Sequence, residues 1–326
     1  MARATADLPV ALAAVEAAAP QFRGRGWVSS SGRITSTGVV VLDAGESEAA
    51  PDVVVKWTEL PEAAAGLRAQ CKVVQEVSTQ SGHDAWLDLL PVPLAAGPVG
   101  NGWFLVERRL PGRDPSAFLD LQDRRVRVLT AAADAVSWLH RTTGREGRPS
   151  RPQLLAWVDE PVEHLRSRVR ADRDRAVLHR LGDELRETLS SLPLWVSWVH
   201  GDYWLGNVLM DAPGQRVTGL VDWDQAVPDE PAILDLLHLL VYARAQAEGR
   251  ELGAVVVQVL EGRRWQDWER AILAASPAGA GLEGRHERAL VLWFWLRHVA
   301  RFSDMPGHRG NLWWWSRNVR AVLRAL

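Results

Sequence analysis

Up to about Pro111 the apolar residues stand in short alternating or continuous runs, and from Asp114 onward they recur every three to four positions. The first pattern is that of strands and the second that of amphipathic helices. After a helix-like, Ala-rich N-terminal stretch, GWVSSSGRITSTGVVVLDAG reads as strand, Ser/Gly-rich turn and strand, and DVVVKWTEL as a third strand. A helix follows over residues 62–80. LLPVPLAAG then makes a Pro-bounded extended passage, and GWFLVERRLPG adds a strand ending in a Pro-Gly turn.

In the second half, VRVLTAAADAVSWLHRTTG is an amphipathic helix, and further helices are expected around 153–192, 231–248, 252–275 and 284–325. The only strand-like part there is NVLMD followed by QRVTGLVDW, with a turn at Ala212 to Gly214, which reads as a hairpin. The expected fold class is therefore α+β and bilobal: a small sheet-dominated lobe over residues 1–110 and a larger, mainly helical lobe over 111–326.

At 326 residues the chain can bury a substantial core. Asp7 and Glu16 interrupt the N-terminal stretch and no uncharged apolar segment follows, so neither a signal peptide nor a membrane span is expected. The single cysteine, Cys71, rules out an internal disulfide and a Cys-cluster metal site and fits a reducing, cytoplasmic setting. A net charge of -2 without a basic block gives no reason to expect nucleic acid or an anionic membrane as partner.

Of the 38 basic side chains only two, Lys56 and Lys72, are lysines. A lysine that persists against such a bias marks a place where a compact ammonium is wanted rather than a planar fork. Lys72, in AQCKVVQE, reads as a solvated helix charge. Lys56, in PDVVVKWTE, sits in an apolar strand-like run, where an unpaired charge is costly.

HGDYWLGN places Asn207 five positions after Asp202, and GLVDWD places Asp222 fifteen positions beyond Asn207. In the protein-kinase loop H-R-D-x-x-x-x-N the Asp receives the proton of the attacking hydroxyl and the Asn holds a metal ion, and a second metal-binding Asp follows a short hairpin. Phosphoryl transfer depends on aligned oxygens whose charge is neutralised, and a hard dication wants oxygen ligands. A strand lysine in a VVVK context fits the same scheme, reaching the phosphates of the nucleotide.

HGDYWLGN, GLVDWD and ILDLLHLL together resemble the aminoglycoside phosphotransferase and choline kinase group, small-molecule kinases with a protein-kinase-like fold, over about Val53 to Leu240. The resemblance implies ATP, or GTP in its place, and Mg2+. It implies that Asp202 is the catalytic base or orients the hydroxyl, that Asn207 and Asp222 bind the metal, and that Lys56 contacts phosphates. It also implies that ERRLPG is a hinge offering backbone groups of Glu107 and Arg109 to the adenine, where side-chain identity matters little. Asp235 resembles the acid that braces the catalytic loop. Kinases pair the strand lysine with a helix glutamate; here Glu62, Gln70 and Glu76 all stay open.

Three departures stand out. SSSGRITSTG replaces a G-x-G-x-x-G loop, so Ser31 and Gly32 are the candidates to cover phosphates through backbone amides. Asp224 occupies the place of a glycine, with either a structural role or one near the metal. No A-P-E follows, which argues against a protein substrate. His200 reads as a structural loop histidine, and Glu46 and Glu48 as solvated turn acids.

From Leu236 onward thirteen arginines face eight acids, which favours a neutral or anionic hydroxyl acceptor over a polycation. A nucleoside, an acidic sugar or a glycosylated natural product or antibiotic fits, in self-resistance or biosynthesis. Among 17 tryptophans, Trp293 and Trp295 read as core, whereas Trp313 to Trp315 cannot share one helix face, leaving at least one to wall a pocket or stack on a flat ring. Two other readings compete. In one, VDWD serves as the D-x-D of a nucleotide-sugar glycosyltransferase, which expects an alternating strand-helix domain upstream; in the other, the chain is an inactive kinase fold that only binds.

Overall fold

The computed structural model describes residues 8–22, 28–35, 37–45, 51–81, 84–119, 121–262, 265–279, 285–305 and 310–326. Glu46 and Glu48 lie outside them. The contacts divide the chain into two compact units, one of Met1–Asp114, His200–Asp202 and Asn207–Val227, the other of Pro115–Val199, Tyr203–Gly206 and Pro228–Leu326.

In the first unit, helix α1 (Leu8–Ala18) precedes strands β1 (Val28–Ile34), β2 (Val40–Gly45) and β3 (Val53–Thr58), helix α2 (Pro61–Ser81), and strands β4 (Pro93–Val99) and β5 (Gly102–Arg108). The strands form one sheet in the order β1-β2-β3-β5-β4, antiparallel throughout. This order is incompatible with the alternating strand-helix domain that a nucleotide-sugar enzyme would need. The period of two decides what each face does. Val53, Val55 and Trp57 of β3 point into a core with Val15, Phe104 and Val106. Val54 points the other way and packs with Val41 and Leu67, the latter on α2. Lys56 shares that second face.

The Ser/Gly-rich turn expected at residues 29–32 is not a turn. Ser29, Ser31 and Gly32 pair in the β1–β2 ladder with Ala44, Asp43 and Leu42. The reversal comes later, where Gly38 adopts φ 82° and the Thr35 N–H donates to the Val39 carbonyl at 2.9 Å. Only a residue without Cβ takes that conformation cheaply, so Gly38 fixes the turn and the preceding serines extend the strand. The predicted second-half hairpin forms from two antiparallel strands, Val208–Met210 and Val217–Leu220, and it belongs to the first unit. Leu220 N–H donates to the Leu89 carbonyl at 2.8 Å, and Arg113 and Met210 bond backbone to backbone.

The second unit is mainly helical: α3 (Gln122–Thr143), α4 (Glu160–Arg168), α5 (Asp172–Ser191), α6 (Ile233–Glu248), α7 (Leu252–Leu260), α8 (Asp267–Ala275) and α9 (Arg285–Phe302). Leu312–Trp315, a π turn over Ser316–Arg320 and Ala321–Ala325 end the chain as one helical stretch. The helices expected over 252–275 and 284–325 each break, the first where Gly262 takes φ 87°. The hairpin is also not the only strand pair after residue 111. Arg145–Gly147, Leu194–Val199 and Val227–Pro231 form a three-stranded sheet with LWVSWV in the middle. Every residue of LWVSWV but one is apolar and nearly all are buried, so it lacks the alternation that marks a strand. Trp293 and Trp295 are fully buried as expected, and of the Trp313–Trp315 run Trp314 alone is buried. Among the described residues no helix is long and apolar enough to cross a membrane.

Candidate active site

Lys56 is buried, and its ammonium meets three oxygen partners from distant parts of the first unit. Nζ lies 3.1 Å from Glu107 Oε1 and 3.3 Å from Asp222 Oδ1, and it donates to Gln70 Oε1 at 3.2 Å. Gln70, also buried, donates through Nε2 to Glu107 Oε2 at 2.7 Å and closes the network. Burial alone would drive the lysine pKa down. Glu107 and then Asp222 more than offset this, so Lys56 stays charged with its pKa above the ordinary lysine value. Burial pushes the Glu107 carboxyl up, and Lys56 draws it back only in part. The Asp222 carboxyl lies below the usual range, held there chiefly by the Lys56 ammonium.

This network settles the partner of Lys56. Gln70 is the α2 residue that reaches it; Glu62 lies exposed at the start of α2, and Glu76 pairs with the exposed Lys72 at 3.5 Å. The counter-charge comes instead from Glu107 on β5. Val54 pairs with Glu107 and Lys56 with Leu105, so Glu107 stands on the same face as Lys56, one pleat away. The resemblance implies that backbone groups of Glu107 meet the adenine and that its side-chain identity matters little. That expectation is corrected: the side chain is buried against the lysine. Sequence inspection missed the pairing because strand register is set by long-range packing.

The HGD turn is built around a glycine. Gly201 has φ 77°, and a Cβ there would lie 2.3 Å from the Gln225 carbonyl oxygen. His200, fully buried, donates from Nε2 to the Val221 carbonyl at 2.9 Å and packs on Trp223 with ring centroids 4.7 Å apart, the structural role expected of it. Asp202 comes next. Asn207 Nδ2 donates to its carbonyl at 2.8 Å and to its Oδ2 at 3.0 Å. The hairpin carries the alignment onward, since Val221 N–H donates to the Asn207 carbonyl at 2.9 Å. Asp222, directly after it, adopts φ 65° and ψ 60°, a left-handed conformation that aspartate tolerates better than most residues and that recurs at functional sites.

Within the second unit, Tyr203 donates from its hydroxyl to the Ala132 carbonyl on α3 at 2.7 Å, and Asp235 on α6 accepts from His140 Nε2 at 3.1 Å. Both pairs are buried.

Asp224 Oδ2 accepts from Gln225 Nε2 at 2.6 Å and faces Gly66 of α2. Gly32 is exposed on edge strand β1 beside Ser31, both in the ladder rather than in a loop. The backbone N–H of Arg109 donates to the Asp52 carbonyl at 3.0 Å and its guanidinium pairs with Asp43 at 3.2 Å.

A divalent cation suits the donors present. The Asn207 amide nitrogen is committed to Asp202, which turns the amide carbonyl oxygen the other way, and Asp222 supplies an ionised carboxylate on a half-exposed side chain. No group of three or more His, Cys, Asp or Glu among the described residues forms a metal site by itself. An oxygen pair of this kind is what magnesium uses when water and phosphate complete its shell.

No curated protein sequence matches the chain. Among solved structures, a thermostable mutant of aminoglycoside phosphotransferase APH(4)-Ia in its apo form superimposes with a TM-score of 0.59 at 17% identity, covering 92% of this chain and 94% of that one. A GDP complex of an aminoglycoside 2'-phosphotransferase-IIIa mutant gives 0.60 at 12% identity, covering 95% and 94%. Aminoglycoside phosphotransferase APH(3'')-Id from Streptomyces rimosus, in complex with ADP and streptomycin, gives 0.54 at 19% identity, covering 90% and 98%. At these identities the likeness establishes a shared fold, the bilobal protein-kinase-like one. The sequence profile of the phosphotransferase enzyme family matches residues 31–273, three quarters of the chain and every segment that carries the lysine, loop and hairpin described above; the chain belongs to that family of small-molecule kinases.

Proposed function

We propose that the protein transfers the terminal phosphoryl group of a magnesium-bound nucleoside triphosphate to a hydroxyl group of a small molecule. The observation that carries this reading is the meeting of Lys56 with Asp222 at 3.3 Å, 166 positions apart, beside an Asp202–Asn207 pair joined at 3.0 Å, all in one compact unit.

Asp202 accepts the proton of the acceptor hydroxyl as its oxygen forms a bond to the γ-phosphorus. The bond from that phosphorus to the β–γ bridging oxygen breaks, and the nucleoside diphosphate leaves with the bridging electron pair. Asn207 holds Asp202 in place through its amide N–H and presents its carbonyl to the metal side. Lys56 neutralises phosphate oxygens, with Glu107 and Gln70 fixing its ammonium. Asn207 and Asp222 would hold magnesium, which supplies charge neutralisation on the phosphates. Ser31, Gly32 and the backbone of Glu107 and Arg109 are proposed to line the nucleotide.

Relatives bound to ADP and to GDP make both ATP and GTP donors worth testing. Relatives named for aminoglycosides make those compounds one acceptor class to test, and resistance one role to test with it. A cytoplasmic location is proposed with the nucleotide supply in mind. The test is consumption of ATP or GTP with magnesium across a panel of hydroxylated small molecules, with phosphate on the acceptor read by mass spectrometry. Acceptor-dependent transfer lost in Asp202→Ala is expected. Nucleotide binding without transfer to any acceptor would favour the purely binding fold instead.

A further inference from the structure

We propose that the acceptor site is an aromatic groove in the second unit and that it takes a hydroxylated molecule carrying a flat, uncharged aromatic ring. The inference rests on the phosphotransferase reading and adds the substrate class. The groove measures about 400 Å³, which is the scale of a small-molecule site. Trp204, Tyr242, His298, Trp313 and Trp314 all line it. Trp204 belongs to the HGDYWLGN loop and stands two positions after Asp202 in the chain, so one wall of the groove is made by the loop that carries the proposed base.

The walls are held in place. Gly206 leaves room for the Trp204 ring, since a Cβ there would lie 2.3 Å from it, and Trp204 leans on Tyr242 with centroids 5.9 Å apart. Tyr242 and His298 share a hydrogen bond of 3.3 Å. On the opposite side Asn318, buried in the π turn, accepts from Gly253 N–H at 3.0 Å and donates to Glu251 at 2.8 Å and to the Trp314 carbonyl at 3.2 Å. Its own carbonyl accepts from Trp295 Nε1 at 2.7 Å. π turns of this sort recur at functional sites. Trp313, by contrast, is 55% exposed, and among the described residues it is the Arg317 guanidinium that lies over its ring.

Charge separates a neutral ring from a cation. Aromatic boxes also bind quaternary ammonium groups. Here the charged residues lining the groove are Arg250, Arg317 and Glu251. Arg317 already lies over Trp313, 4.9 Å from the ring centroid, and Glu251 is tied to Asn318. A polycation entering would meet two guanidinium groups and one carboxylate already in use. A neutral π-face gains from the same arrangement, because stacking needs flat area and no counter-charge.

The test is titration calorimetry on the full chain with phenyl β-D-glucopyranoside, methyl β-D-glucopyranoside and kanamycin, with magnesium and ADP titrated separately. The phenyl compound is expected to bind at least about tenfold more tightly than the methyl one, and Trp313→Ala to weaken the phenyl compound alone by about tenfold, the size of one stacking contact. Equal binding of the two glucosides, no binding of either at millimolar concentration, or tighter binding of kanamycin would each overturn the inference. Failure of magnesium-ADP to bind would count against the phosphotransferase reading, while leaving the outcome of the ring comparison to stand by itself.

Discussion

Glu107 Oε1 sits 3.1 Å from Lys56 Nζ, and the pair is buried on both sides. The α2 position that faces the lysine holds Gln70, so the negative charge has moved from the helix to the neighbouring strand and a neutral amide bridges the two.

Removing that charge leaves a buried ammonium with only Asp222 to oppose it. Glu107→Gln is expected to destabilise the protein by about 3 kcal/mol, as breaking a buried pair does. Moving the carboxylate back to the helix, as Gln70→Glu with Glu107→Gln, should recover most of the loss. Urea denaturation of the three proteins checks this, and an unaltered midpoint for Glu107→Gln would contradict the pairing.

Acid titration gives a second measurement. The Asp222 carboxyl is held below its usual value of 3.8 by Lys56, so its contribution to stability is complete above that pH and is lost as pH falls through the lower folded value. Asp222→Asn should therefore lose stability less steeply than wild type below pH 3.8. Parallel curves for the two proteins would show that the pairing adds nothing.

For the chemistry, Asp202→Ala is expected to slow transfer by about 100- to 10,000-fold, the range of a lost general base, while magnesium-nucleotide affinity holds within a few-fold. Rapid-quench measurement of phosphorylated product separates this from a binding defect. A variant that keeps its turnover would remove Asp202 from the reaction.

Gly201→Ala tests the turn that presents Asp202. The new methyl would meet the Gln225 carbonyl at 2.3 Å in a backbone at φ 77°, so the turn must open. A cost of roughly 1–3 kcal/mol is expected, together with a fall in kcat larger than the change in KM. Thermal melts and steady-state kinetics report both.

Much of the candidate site's layout was legible in the sequence, because its residues stand in short motifs with fixed spacing. Lys56 stood out against a lysine-poor background, and HGDYWLGN and GLVDWD carry Asp202, Asn207 and Asp222 at a separation that a hairpin closes. Glu107 was misread because its value depends on the β3–β5 register, which no local pattern encodes. The SSSG segment was misread because serine and glycine favour turns only when nothing pairs with them, and β2 pairs with this one. LWVSWV was missed because a strand buried on both faces loses its alternation. The helical second half was easier to read in type than in length, since breaks such as Gly262 interrupt apolar runs that otherwise continue.

Lysine scarcity turns the site into its own reporter. With Lys56 deep in its carboxylate nest and Lys72 76% exposed on α2, the two side-chain amines of the whole chain differ sharply in access. An acyl-phosphate analogue of ATP that acylates amines would mark lysine side chains in two tryptic peptides at most, and nucleotide competition at the Lys56 peptide alone would report occupancy of the site, with Lys72 as the internal control.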